Sequence, residues 1–258
     1  MVINITRALW LFCAAALLGG ASAAMAAPGF IVLKDRLGAE VRAYADGPED
    51  ARAGVLITHD YFGITESTKT WVERLGAQGY RVIAVDLYGG RVAHTDEQAT
   101  QLMQAFQAQD RQVKDRLLQA GLDELKHRGR RIATLGFSMG GIEALWAHLN
   151  DPSAVRATAI VYGFGFDAID AGRLSVLNGP VLAVTGALDE GSLQVASNWV
   201  KRSAELHQAQ DVLVLPDVGH GYAQPLFNGG RAYNADAVRV TWHTVEDFLA
   251  KALRGPHR

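Results

Sequence analysis

The chain has 258 residues, 49% hydrophobic and 20% charged, with 25 Lys and Arg against 27 Asp and Glu and a formal charge of −2. This composition supports a large buried core, and the near-neutral balance without a basic cluster argues against nucleic acid or an anionic membrane as partner. No linker, charge block or internal repeat divides the sequence, so one domain is expected over residues 27–258.

Residues 1–26 stand apart. Arg7 precedes the apolar block Ala8–Leu18 (ALWLFCAAALL), and GGASAAMA follows in small residues, with Ala24 and Ala26 placed for cleavage before Ala27. That is the three-part pattern of a secretory signal peptide. The apolar block is about half of the ~20 residues that a membrane helix needs. Cleavage removes Arg7 and Cys13, the single cysteine, so an exported chain with no thiol and no disulfide is expected, in the periplasm or outside the cell. The bulky Trp10, Leu11 and Phe12 before Cys13 argue against a lipid anchor.

The elements then follow in order. Phe30–Lys34 and Val41–Ala45 alternate in polarity and read as an antiparallel hairpin at a sheet edge. Six more runs, 54–58, 81–85, 131–135, 157–162, 181–185 and 212–215, are short and β-branched, most of them apolar on both faces. Such strands are covered by helices on both sides. Helical patterns lie between them at 65–78, in one long helix within 95–128, and at 140–149, 192–207 and 235–253. The alternation implies an α/β fold with a doubly wound, mainly parallel sheet of about eight strands. Ligands of such sheets sit beyond the carboxyl ends of the strands.

The third buried run ends in Leu135–Gly141 (LGFSMGG), a serine with glycines two before and two after. A sharp strand-to-helix turn would push Ser138 out over the sheet at a helix N-terminus. Asp189 follows the run at 181–185, and His220 follows the run at 212–215. Ser, Asp, His is the chain order of an α/β-hydrolase triad, in which a histidine takes the serine proton and an acid holds the histidine. Asp217 and Asp167 also lie near strand ends and compete for the acid's role. The oxyanion donors expected are the backbone N–H groups of Met139 and of Tyr61, the latter in the loop after the first buried run. Asp60, Tyr88, Tyr162, Phe164 and Tyr222 are the candidates to line a substrate pocket. His59 reads as a satisfied structural histidine, and Arg91 as a surface arginine near the rim. The remaining histidines, including His207 and His257, show no spacing for three metal ligands.

ITHDYFGI (57–64), VDLYGGR (85–91), LGFSMGG, GALDE (186–190) and GHGY (219–222) together resemble the dienelactone hydrolase family of α/β-hydrolases, over about Gly54–Leu253. The resemblance implies hydrolysis of a small-molecule ester or lactone without metal or organic cofactor. This sequence departs from the best-known members in three ways. Ser138 stands where they use cysteine, and Asp60 stands where they have a glutamate. The arginines that clamp the dienelactone carboxylate have no counterpart, which favours a neutral or larger ester. Two other readings share these residues: the same triad acting on a peptide or thioester, and an exported binding protein on a hydrolase shell. Oligomeric state, and whether residues 89–101 form a lid, are not written in any pattern of the sequence.

Overall fold

The structure is a computed structural model that describes residues 27–165, 169–206 and 210–253. The signal-peptide reading, Cys13, Asp167, His207 and His257 therefore lie outside the described residues. Eight strands form one sheet: β1 (Gly29–Lys34), β2 (Glu40–Asp46), β3 (Ala53–Thr58), β4 (Arg81–Val85), β5 (Arg131–Phe137), β6 (Val155–Val161), β7 (Val181–Gly186) and β8 (Gln210–Leu215). Their order is β1-β2-β4-β3-β5-β6-β7-β8, antiparallel at β1-β2-β4 and parallel from β4 onward. This is the α/β-hydrolase fold, with the edge hairpin as expected.

The helices are α1 (Glu66–Ala77), α2 (Asp96–Gln107), α3 (Arg111–Lys126), α4 (Met139–Asn150), the single turn α5 (Ala171–Leu174), α6 (Glu190–Glu205) and α7 (Ala235–Ala252). Alternation along each central strand divides the core between the two faces. Val55 and Ile57 of β3, Ala133 and Leu135 of β5, and Leu182 and Val184 of β7 join Trp71 and Leu75 of α1 and Trp242 and Val245 of α7. Leu56, Ile83, Val85 and Ile132 point the other way, onto Leu118, Leu122 and Leu125 of α3. The two edge strands escape this rule: Phe30 and Val32 of β1 are exposed, and in β8 Val212 is 36% and Val214 42% exposed, so that apolar run is covered on one side at most.

The single long helix expected within 95–128 is two helices. A continuous helix would extend the stripe Ala99, Leu102, Met103, Phe106 onto Asp110, and a carboxylate does not enter an apolar face unpaired. The chain instead turns at Ala108, and Asp110 takes an extended conformation (φ −56°, ψ 142°), exposed, in front of α3. The four-residue α5 carries too little apolar periodicity to have been read.

One buried histidine outside the site has a consequence for stability. His148 of α4 is fully buried, its Nδ1 2.9 Å from Thr158 Oγ1, which in turn lies 2.8 Å from Thr134 Oγ1. Burial lowers its pKa to about 4 from the ordinary 6.5. Between these values the unfolded chain binds the proton and the folded chain does not, so this group's share of stability is intact above about pH 6.5 and is lost as the pH falls towards 4. Urea midpoints of wild type and His148→Gln should therefore converge as the pH is lowered from 7 to 4, with the wild type falling more steeply.

Candidate active site

The strand order reverses at β3, since β4 lies on one side of it and β5 on the other, and loops leaving the two carboxyl ends part there. Parallel pairing of Thr58 with Gly136 brings the loop after β3 beside the loop after β5. Ser138 stands between β5 and α4 with φ 53° and ψ −122°, a conformation that few side-chain-bearing residues adopt. It is held by its own N–H donating to Val161 O (3.0 Å) and by Thr58 Oγ1 donating to Gly140 O (2.6 Å). A methyl group on Gly140 would lie 2.4 Å from both Thr58 O and His59 O, so the LGFSMGG pattern is a requirement of backbone contact.

Ser138 Oγ lies 2.9 Å from His220 Nε2, and His220 Nδ1 lies 2.7 Å from Asp189 Oδ2. With Nδ1 facing a carboxylate, the ring proton belongs there, and the Nε2 lone pair faces the serine hydroxyl. Asp189 is also the N-cap of α6, its Oδ1 accepting from Ser192 N–H at 3.1 Å. Burial raises the Asp189 carboxyl, but the hydrogen bonds from His220 and Ser192 outweigh it, and the net shift is downward. Asp217, the rival acid, sits exposed in a turn with φ 57°. Three rings surround the imidazole: Tyr162 at 5.3 Å, Phe227 at 5.5 Å and Phe164 at 5.9 Å between centroids. Phe227 lies in the long loop before α7 and carries no motif by which sequence could find it.

The loops after β3 and β4 are built alike. Asp60 Oδ1 accepts from Phe62 N–H (2.9 Å) and Asp86 Oδ1 from Tyr88 N–H (3.0 Å), so each carboxylate folds its own loop into a turn. His59 joins the two. Its Nδ1 donates to Asp60 O (2.6 Å) and its Nε2 accepts from Leu87 N–H (3.1 Å), the satisfied structural role expected for it. Residues 89–101 are fastened to the same loop, with Ala93 N–H donating to Phe62 O and Ala93 and Ala99 packed on the Phe62 ring. Tyr61 O–H donates to Asp96 Oδ1 (2.5 Å) at the start of α2. Among the described residues, the backbone N–H groups of Tyr61 and Met139 have no hydrogen-bonding partner, as an oxyanion pair requires.

The pocket candidates separate into two groups. Asp60, Tyr61 and Tyr162 line a narrow crevice with Ser138, His220, Gln224 and Phe227, and Phe164 flanks it through its contact with His220. Tyr88 and Tyr222 do not reach it. Tyr88 is buried, with its hydroxyl 3.1 Å from Met139 Sδ and its ring against His59 and Phe106. Tyr222 is buried with its hydroxyl 2.6 Å from Thr241 Oγ1 of α7. Both are large rings whose hydroxyls found partners in the core, so they support the site from below. Arg91 is exposed and donates to Tyr88 O (3.2 Å). No arginine lines the crevice among the described residues, and no group of three or more His, Cys, Asp or Glu residues there is placed to hold a metal.

Comparison with known proteins places this geometry. The model of the dienelactone hydrolase family matches residues 41–253. The chain belongs to the dienelactone hydrolase family. A protein of Saccharolobus solfataricus named "Putative carboxymethylenebutenolidase" is 23% identical, over 86% of this chain and 98% of its own length. Among solved structures, a dienelactone hydrolase-like promiscuous phosphotriesterase from metagenomic libraries superposes with a TM-score of 0.76 at 22% identity, covering 89% of this chain and all of the other. A dienelactone hydrolase of Anabaena variabilis gives 0.65 at 20% identity, over 88% and 99% of the two chains. The family is one of hydrolases, and the solved structures share its α/β-hydrolase fold.

Gln224, which the sequence reading passed over, ties two family loops together. Its Nε2 donates to Asp60 Oδ2 (2.7 Å), linking the loop after His220 to the loop that carries Tyr61. Burial pushes the Asp60 carboxyl up, against the hydrogen bonds from Gln224 and Phe62 N–H and the charges of His59 and His220. Replacing Gln224 by Leu strands a buried carboxylate oxygen, and chemical denaturation should show a loss of about 1–3 kcal/mol.

Proposed function

We propose that this protein is an exported serine hydrolase that opens an ester or lactone through an acyl-enzyme. The observation that carries the reading is the hydrogen-bonded chain from Ser138 Oγ through His220 to Asp189. His220 Nε2 takes the hydroxyl proton as Ser138 Oγ bonds to the carbonyl carbon. The negative oxygen so formed is met by the N–H groups of Met139 and Tyr61, and Asp189 stabilises the imidazolium. The C–O bond to the alcohol then breaks, and His220 passes its proton to the leaving oxygen. Water attacks the acyl carbon in the same way, giving up a proton to His220, and the acid departs as Ser138 regains its hydrogen. Every proton is carried by His220, and no step calls for a metal or an organic cofactor.

Serine in place of the family's thiol suits an exported chain, because a hydroxyl is not drawn into disulfides or oxidised outside the cell. The absence of arginine from the crevice lining supports a neutral ester or lactone over a small anionic one. The leader pattern supports export, and no helix among the described residues is long and apolar enough to cross a membrane.

With 4-nitrophenyl acetate and butyrate as substrates, Ser138→Ala should lose turnover and fluorophosphonate labelling together, and Asp189→Asn should lower kcat by roughly 10⁴-fold. Equal turnover by wild type and Ser138→Ala would remove Ser138 from the chemistry. Mass spectrometry of the protein recovered after export should give a chain that starts at Ala27, and an uncleaved N-terminus would refute the leader reading.

A further inference from the structure

Beside the crevice a second hollow of about 310 Å³ runs down α4 away from Ser138. Its wall on α4 is Met139, Ile142, Glu143 and Trp146, spaced i, i+3, i+4 and i+7 and so on one face of the helix. Opposite stand Phe106 and Gln107 at the end of α2 and Arg111 and Lys114 at the start of α3. The hollow thus lies where the two helices part company at Ala108–Asp110. Both groups at its upper end touch the site: Met139 supplies the amide next to Ser138, and Phe164 lies against the His220 ring.

The chemistry of the wall is aromatic. Phe106, Trp146 and Phe164 present rings, and the two cations lie over them, Arg111 5.3 Å from the Trp146 centroid and Lys114 5.4 Å from that of Phe106. Arg111 is already neutralised by Glu143 (2.6 Å) and Asp115 (2.8 Å), and Lys114 donates to Gln107 O (3.1 Å). A guanidinium so paired is a poor clamp for a further carboxylate, yet its face and the rings beside it still attract a π-system. The volume is at the lower end of ligand pockets, about 300–1,000 Å³, which suits one aromatic group and not an extended chain.

We propose that this hollow is the specificity subsite of the hydrolase and takes an uncharged aromatic group carried by the ester. The inference rests on Ser138 as the nucleophile and adds the substrate class. Phe164 and Met139 stand at its upper end, so a group bonded to the reacting carbonyl or to its leaving oxygen enters along α4. Ile142 on one wall and Gln107 on the exposed lip set its width.

The test compares kcat/KM for phenyl acetate and methyl benzoate with that for methyl acetate, followed by pH-stat. In Ile142→Phe, which narrows the hollow, the aryl-to-methyl ratio should fall roughly tenfold or more for whichever aryl ester uses it. Gln107→Trp, on the exposed lip, should lower the same ratio and serves if Ile142→Phe does not fold. Which of the two aryl esters loses its advantage tells whether the ring belongs to the acid or to the alcohol. Benzamide should also quench Trp146 fluorescence saturably in Ser138→Ala, a signal lost in the double variant Ser138→Ala, Trp146→Phe. An unchanged ratio in both narrowed variants, or saturation by benzoate and not by benzamide, overturns the subsite. A wild type no faster than Ser138→Ala on all three esters overturns the nucleophile instead, and leaves the benzamide titration to judge the hollow alone.

Discussion

Much of this molecule depends on one backbone contact, the approach of Gly140 to the carbonyl oxygens of Thr58 and His59. Because no side chain intervenes, α4 can begin directly above the end of β3, and Ser138 is forced to the positive φ that lifts its hydroxyl out of the sheet. The same contact sets the free amide of Met139 beside the loop that bears the free amide of Tyr61. The exposed hydroxyl of Ser138 and the facing of the two free amides are thus two results of one close packing. Neither could be altered locally, since the hydrogen bond from Thr58 Oγ1 to Gly140 O closes the contact from the strand side.

Around that contact the loops are stiffened by buried and half-buried polar groups that each satisfy more than one partner. Asp60 folds its own turn and takes Gln224 from a loop more than 160 residues away. His59 fastens the β3 loop to the β4 loop, its Nδ1 held by Asp60 O of its own loop and its Nε2 accepting from Leu87 N–H. Asp96 accepts from the Tyr61 hydroxyl and from Asn228 N–H, joining the start of α2 to the loop that holds Phe227. Such groups are costly to bury without partners, so once present they permit few loop conformations. The strands fix where the loops begin, and these hydrogen bonds fix where they end.

What could be read from sequence follows from this division. The strands were legible because residues such as Val55, Leu56 and Ile57 are apolar without a break, the mark of burial on both faces. Ser138, Asp189 and His220 were legible because each follows a strand, so chain order implied position in space. The aromatic candidates were not all assignable, because Tyr88 and Tyr162 both follow strands and only the direction of the side chain tells that one supports the floor and the other lines the crevice. Gln224 and Phe227 had no signal, since their partners are defined only by the folded chain. The break between α2 and α3 did have one: Asp110 falls four residues after Phe106, in phase with a buried stripe that a carboxylate cannot join.

Asp189 divides its two oxygens between tasks, with Oδ1 starting α6 and Oδ2 orienting the imidazole. The side chain therefore answers two demands at once. Asparagine keeps an acceptor for the helix but offers the histidine no charge. Glutamate keeps the charge but moves it a methylene further from the Ser192 amide. Drift to asparagine would leave the cap of α6 in place, so the helix asks only for an acceptor at this position, and the negative charge answers to the imidazole alone.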